Sequence, residues 1–430
     1  MKSIDSAARR LSTKSPSQFL SEYARRILFS RLSAIEIGHL IIEDESGAYV
    51  FGQDLSETSL VARISVYRLN AYRSILLGGG IGAGESYMRG DWSSSDLVNV
   101  VRLIAVNQSV LDNMDSTWSW LSKRFSSITE LLRINTKAGS KKNIAAHYDL
   151  SNAFFSLFLD KSMMYSAAIF PSSDASLESA ALIKLDHICK RLKLKESDHL
   201  LEIGSGWGGM AVYAAKHYGC NVTTTTISRR QYELVLTRVE QEGLSDRVEV
   251  LFEDYRELTG TYDKLVSIEM VEAVGHQFHR AFFSGCAHLL KPDGLMLMQA
   301  ITTQDQRFDR EKNKMDFIQK YIFPGGCLPS NEAVIKNISQ HTDMHLVGLE
   351  DITLDYALTL ASWRKRFFDK LESVRSLGFD DTFVRMWDFY LCYCEGGFRE
   401  RVIKTSQFLL AKPLCRDLPV IGHSEHKPLF

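Results

Sequence analysis

No run of roughly 18 apolar residues, the length that crosses a bilayer as a helix, occurs in this chain of 430 residues. A membrane-spanning helix is therefore not expected. The opening Met1-Lys2-Ser3-Ile4-Asp5 lacks the apolar core of a secretory signal. The seven cysteines are odd in number and irregularly spaced, which fits reduced thiols in a cytoplasm better than a disulfide framework. The twelve histidines form no His-Glu-x-x-His pattern and no paired Cys/His spacing, so no metal site is expected. Cys392 and Cys394 lie too close together for a redox Cys-x-x-Cys pair. The net charge is −1 and no nucleic-acid motif occurs, which argues against a nucleic-acid partner. What is present is an apolar fraction of 45%, ordinary for a globular protein with a large core.

The charge is uneven along the chain. Residues 1–31 hold seven basic side chains against Asp5 and Glu22, and residues 120–145 hold six against Glu130. Either segment could press on anionic phospholipid, at about 1 kcal/mol per well-placed basic residue. They read equally well as a core-packing helix with solvated arginines and a charged linker. Pro16 can start that helix, with Leu20, Ala24, Ile27, Leu28 and Leu32 as its apolar stripe. Residues 36–42 and 48–52 read as a hairpin, residues 61–67 as a third strand, and Gly78-Gly79-Gly80 as a flexible loop. The expected organisation is an α+β domain over residues 1–125, a basic linker at 126–142, a larger domain over 143–415 and a tail at 416–430. The first domain is a candidate lipid, membrane or dimer contact. Residues 304–400 read as largely helical and aromatic.

The most informative stretch is Leu200-Leu201-Glu202-Ile203-Gly204-Ser205-Gly206-Trp207-Gly208-Gly209. It reads as a buried strand, a glycine-rich turn and a helix start, a geometry suited to a nucleotide-like cofactor. A dinucleotide site places an acid about 20 residues after the first glycine, yet the next strand, residues 221–227, carries none. No Gly-Lys-Ser/Thr follows, so this is not a phosphate loop. S-adenosylmethionine remains, with Glu202 to orient the loop or receive the cationic methionine end. Further strands are expected at 247–252, 262–268 and 295–300, with helices between them. That alternation implies a mostly parallel sheet with ligands at the strands' carboxyl ends. Gly204, Thr226, Asp254, Glu272 and Gln299 all fall at or near those ends.

Ordered motifs on either side extend this reading. They include His147-Tyr148-Asp149-Leu150-Ser151-Asn152, Met163-Met164-Tyr165-Ser166, Thr226-Ile227-Ser228 with Gln231, and Glu253-Asp254-Tyr255-Arg256. Beyond them come Glu269-Met270-Val271-Glu272-Ala273-Val274-Gly275, Tyr321-Ile322-Phe323-Pro324-Gly325-Gly326, Asp355-Tyr356 and Tyr390-Leu391-Cys392-Tyr393-Cys394. Upstream, residues 84–92 run Gly-Glu-Ser-Tyr-Met-Arg-Gly-Asp-Trp. From about residue 75 to 405 the chain resembles the cyclopropane-fatty-acyl-phospholipid synthase family of S-adenosylmethionine-dependent methyltransferases.

The resemblance implies a Rossmann-like α/β catalytic domain with helical lipid-pocket insertions, preceded by a smaller α+β domain. It implies transfer of a methylene or methyl group to a cis double bond in an unsaturated phospholipid or fatty acyl chain. The enzyme would work transiently at the inner face of the membrane. A bound bicarbonate would serve as base, held by Glu272, Tyr356, Gln299 and backbone groups at Ala167 and Ile301. Tyr165, Ser166, Glu202, Gly204, Gly206, Trp207, Gly208, Thr226, Gln231, Asp254 and Tyr255 would hold the cofactor. Glu269 is the weaker acid, suited to orienting its loop. Cys394 has an active-site counterpart in the family and is read here as lining the pocket. The chain departs from the best-known members at Ala167, often cysteine, and Gln299, often histidine. Gln299 can donate a hydrogen bond but cannot relay a proton. The product therefore stays open between a cyclopropane and a methyl-branched chain, with loss of catalysis as a third outcome.

Overall fold

The computed structural model describes residues 16–52, 60–108 and 150–419. The chain divides into two compact units, Met1–Ser122 and Lys123–Phe430. His147 and the basic segment 126–142 lie outside the described residues.

In the first unit a helix, Pro16–Leu32, precedes strands β1 (His39–Asp44), β2 (Gly47–Phe51), β3 (Val61–Val66) and β4 (Trp92–Ser93), ordered β2-β1-β3-β4. Ala24 of the expected stripe is buried, while Leu20 is exposed with Phe19 and Tyr23. Arg25 is not simply solvated, since it pairs with Asp44 at 2.8 Å. The expected glycine loop is instead part of one helix, Asn70–Met88, kinked where Gly79 takes φ 53° and ψ −133°. Helical residues run on either side of Gly79, and glycine tolerates the positive φ of the kink.

The second unit is built on a seven-stranded sheet. Its strands are β5 (His199–Ile203), β6 (Asn221–Thr225), β7 (Val248–Leu251), β8 (Tyr262–Ile268), β9 (Leu290–Thr303), β10 (His345–Asp351) and β11 (Ile403–Ala411). The order is β10-β11-β9-β8-β5-β6-β7. Strands β9 to β7 in that order run parallel, and β11 and β10 join antiparallel. Neither β10 nor β11 was expected, and β10 interrupts the region read as largely helical. The period-2 alternation divides the core. Leu200, Val222, Val266, Leu297 and Leu409 pack on one face, and Leu201, Leu265, Met296, Met298 and Phe408 on the other.

Chain order reverses around β5, since β6 and β7 build outward on one side and β8 and β9 on the other. The crevice between the carboxyl ends of β5 and β8 is therefore the switch point where such sheets take ligands. The chain after β11 stays attached for several residues: Asp417, placed in the expected tail, pairs with Lys193 and Lys195.

Candidate active site

Two turns flank the switch point. After β5 the backbone passes through Gly204, Gly206 and Gly208 at φ 97°, 49° and 87°. Gly204 and Ser205 both donate N–H to Thr225 O, at 3.1 and 2.9 Å, which pins the turn to β6. A Cβ on Gly206 would meet nothing within 4 Å, so this turn opens onto clear space. The helix Gly209–Tyr218 follows with no side-chain cap. These features suit close approach by a cofactor.

Buried polar groups brace the turn. Glu202 accepts from Thr224 Oγ1 at 2.6 Å across the β5–β6 pair. Burial pushes its carboxyl up to about 8, against the pull of Thr224 and Lys184. Thr226 Oγ1 donates to Gln231 Oε1 at 2.9 Å, so these two expected cofactor contacts also hold each other. Asp254 is clasped by Arg256 at 2.7 and 2.6 Å, with Tyr255 beside the same guanidinium. Trp207 is buried and donates its indole N–H to Asn152 at 2.9 Å.

The segment 160–170 lies against this turn, because a Cβ on Gly209 would sit 2.6 Å from Met164 Sδ. Asp160 accepts from the backbone of Ser162 at 2.7 Å and of Met164 at 2.9 Å. Arg238 staples the two pieces by donating to Ser162 O, Trp207 O and Lys161 O at 2.8–2.9 Å. Sequence reasoning missed Arg238, since an arginine in a helix reads as solvated. It also missed Lys184, fully buried, whose ammonium donates to Ser166 Oγ at 2.6 Å. Burial draws the Lys184 pKa down to about 8, opposed by Glu269, Asp160 and Glu202.

The second turn follows β8 and carries two acids. Glu269 is a non-glycine residue at φ 50°, held there by its N–H bond to Gln299 O at 2.7 Å. Its Oε1 accepts from Ala167 N–H at 2.9 Å and from Gln299 Nε2 at 2.8 Å, and its Oε2 from the Tyr356 hydroxyl at 2.8 Å. Gln299 is fully buried, and its own Oε1 accepts from Gln407 Nε2 at 3.0 Å across β9 and β11. Glu272 Oε1 accepts from Ile301 N–H, while its Oε2 is buried with no hydrogen-bond partner. Burial, then the neighbouring Glu269 charge, pushes Glu272 up to about 8. Burial also raises Glu269, but the bonds from Ala167, Gln299 and Tyr356, with the Lys184 charge, favour its ionised form. With three donors on Glu269 and one on Glu272, a proton shared by the pair is favoured on Glu272 and the negative charge on Glu269.

The family model described as "Mycolic acid cyclopropane synthetase" matches residues 135–408, more than half of the chain. The chain belongs to this family. Cyclopropane-fatty-acyl-phospholipid synthase of Escherichia coli K12 is 35% identical over 369 residues, covering 84% of this chain and 91% of that protein. Tuberculostearic acid methyltransferase UfaA1 of Mycobacterium tuberculosis is 38% identical over 339 residues, 77% of this chain and 79% of its own. Among solved structures, mycolic acid cyclopropane synthase CmaA1 complexed with SAH and CTAB aligns with a TM-score of 0.59 and 32% identity. That alignment covers 63% of this chain and 98% of CmaA1. The protein is thus an S-adenosylmethionine-dependent methyltransferase of the cyclopropane synthase family, with the Rossmann-like α/β fold that membership implies.

Within this family fold, Tyr165 shares a 2.9 Å hydrogen bond with Tyr390 and packs 5.2 Å from the Trp363 ring and 6.0 Å from Phe323. Trp363, Trp387 and Phe367 are wholly buried and pack with Phe154 and Phe158, so these are core. Cys394 is half-buried near Tyr356 and Tyr390, and poor solvation of its sulfur raises the thiol far above the usual range, which keeps it un-ionised.

The bicarbonate expectation meets a correction. Its five expected holders do converge, but on side chains of the protein. Ala167, Gln299 and Tyr356 donate to Glu269, and Ile301 donates to Glu272. A further anion would sit against Glu269 with those donors already engaged. The residues present do not fit a bicarbonate ion.

Proposed function

We propose that this methyltransferase transfers the sulfonium methyl carbon of S-adenosylmethionine to the cis double bond of an unsaturated phospholipid acyl chain and closes a cyclopropane ring. The observation that carries the reading is the buried acid pair, Glu269 and Glu272, one turn of chain from the glycine turn: Met270 is the side chain nearest Gly204. Alkylating an alkene creates a carbocation, which needs fixed negative charge and exclusion of water. Tyr165, its ring 6.0 Å from that of Phe323, lies two residues before Ala167, the donor to Glu269, and an electron-rich ring there favours a cation as well. S-adenosylmethionine supplies the electrophilic carbon. Gly206 leaves room for it, Tyr165 and Ser166 lie on the segment packed against the turn, and Glu202 offers a carboxyl that a bound cation would help to ionise.

The protein meets its lipid at the cytoplasmic membrane surface. The exposed Phe19, Leu20 and Tyr23 on a helix carrying Arg25, Arg26 and Arg31 support that reading. Among the described residues no helix is long and apolar enough to cross a membrane. A methyl-branched product is the second reading, favoured by the similarity to UfaA1, which is named a methyltransferase. Incubation with labelled S-adenosylmethionine and unsaturated phospholipid vesicles, followed by mass spectrometry with double-bond localisation, separates ring from branch. Absence of label in any lipid sinks both.

A further inference from the structure

We infer that the Glu269 carboxylate is itself the base and fixed counter-charge of the reaction, so that the protein supplies from its own chain the anion that a bicarbonate ion would otherwise provide. This rests on the alkene-alkylation reading above. Bicarbonate and a carboxylate present the same planar O–C–O group with one negative charge. The geometry around Glu269 is that of an anion site already filled. Donors arrive on both oxygens from three separate parts of the chain: Ala167 N–H and Gln299 Nε2 on Oε1, and Tyr356 OH on Oε2, at 2.8–2.9 Å. Each donor is buried. Gln407 fixes which way the Gln299 amide faces.

The backbone supports the same assignment. A left-handed conformation is disfavoured for a non-glycine residue. Here it is tied down by a 2.7 Å bond from Glu269 N–H to Gln299 O, which aims the carboxylate at the donors. Adding bicarbonate beside Glu269 would place a second like charge in a water-poor cluster next to Glu272, an arrangement that buried sites avoid.

The chemistry balances with no other reactant. The alkene π pair forms a bond to the sulfonium methyl carbon while the C–S bond breaks onto sulfur. A thioether and a carbocation on the second alkene carbon result. Glu269 removes a proton from the transferred methyl, and that C–H pair closes the ring. The sulfonium and carboxylate charges are both gone, and the proton stays on Glu269 until it exchanges with solvent after product release. Removal of a proton from a neighbouring chain carbon by the same base leaves a methyl-branched alkene, so the inference holds for either product.

The test uses the full-length protein in buffer scrubbed of carbon dioxide, with and without millimolar bicarbonate. Turnover on vesicles is one readout. Carbon-13 NMR of labelled bicarbonate with the protein loaded with S-adenosylhomocysteine is the other. The wild-type rate should be the same in both buffers, with no bound carbon-13 signal. Glu269→Gly should lose about 100-fold or more in rate, bind bicarbonate, and recover part of its activity when bicarbonate or formate is added. A wild-type rate that drops tenfold on scrubbing and returns on addition would overturn the inference. So would bicarbonate bound to the wild type, or full activity in Glu269→Gly. Should the wild type label no lipid at all, the functional reading fails. The NMR comparison then still decides whether Glu269 fills the anion site.

Discussion

Tyr356→Phe isolates one hydrogen bond to Glu269. The Tyr356 ring is buried and stacks on Phe398 at 4.4 Å and 23°, so phenylalanine keeps the packing and removes only the hydroxyl. That hydroxyl donates to Glu269 Oε2 at 2.8 Å and favours the ionised carboxylate. A bond to a charged group contributes about 1.5–3 kcal/mol, and about 1.4 kcal/mol corresponds to one pH unit. Its loss raises the Glu269 pKa further, and the acid limb of the kcat profile moves up by about one to two pH units. On the acid side of the shifted limb the rate falls about 10- to 100-fold, and raising the pH recovers it. KM for S-adenosylmethionine should hardly change. The assay is label transfer to vesicles from pH 6 to 9. A uniform loss with an unshifted limb, or a wild-type profile at every pH, would refute the reasoning.

Three further outcomes are expected. Glu272→Gln should lose turnover while keeping cofactor affinity, and isothermal titration against kcat separates the two. The same variant tests the linkage. The folded carboxyl titrates at about 8 against an ordinary 4.5, so the folded state holds an extra proton between those values and stability falls as pH rises through them. An amide does not titrate, so the variant's gain in Tm should be larger at pH 8 than at pH 5; equal shifts at both would count against it. Gln407→Leu leaves the Gln299 carbonyl unpartnered, which should cost about 1–3 kcal/mol in denaturant unfolding and lower kcat more than it raises KM. Cys394→Ala should retain most of the wild-type kcat, because the un-ionised thiol attacks nothing; a loss beyond about 100-fold would reinstate it as a nucleophile.

The strands β5 to β8, the glycine turn and the helices between them were legible in the sequence because their signals are local: apolar runs, glycines and amphipathic spacing. Strand β10 escaped because none of its residues is fully buried. Strand β11 escaped because Thr405, Ser406 and Gln407 interrupt its apolar run, yet all three are buried. At the site, the presence of Glu269, Glu272, Gln299 and Tyr356 could be read, but not how they pair. Tyr356 stands 87 residues from Glu269. Only the packing of the helix Thr353–Asp369 decides that its hydroxyl reaches this acid. Gln407 becomes visible only through the β9–β11 register that sets it opposite Gln299.

The left-handed backbone at Glu269 sets folding and chemistry against each other at a single residue. Glycine would sit there without torsional penalty but would leave three buried donors, Ala167 N–H, Gln299 Nε2 and Tyr356 OH, without an acceptor. A substitution that relieves the backbone alone would therefore strip the protein of its built-in anion and of the hydrogen bonds gathered on it. Thermostability libraries of this enzyme should hold residue 269 fixed, and the enzyme's melting temperature then reflects what its reaction requires as much as how well its core packs.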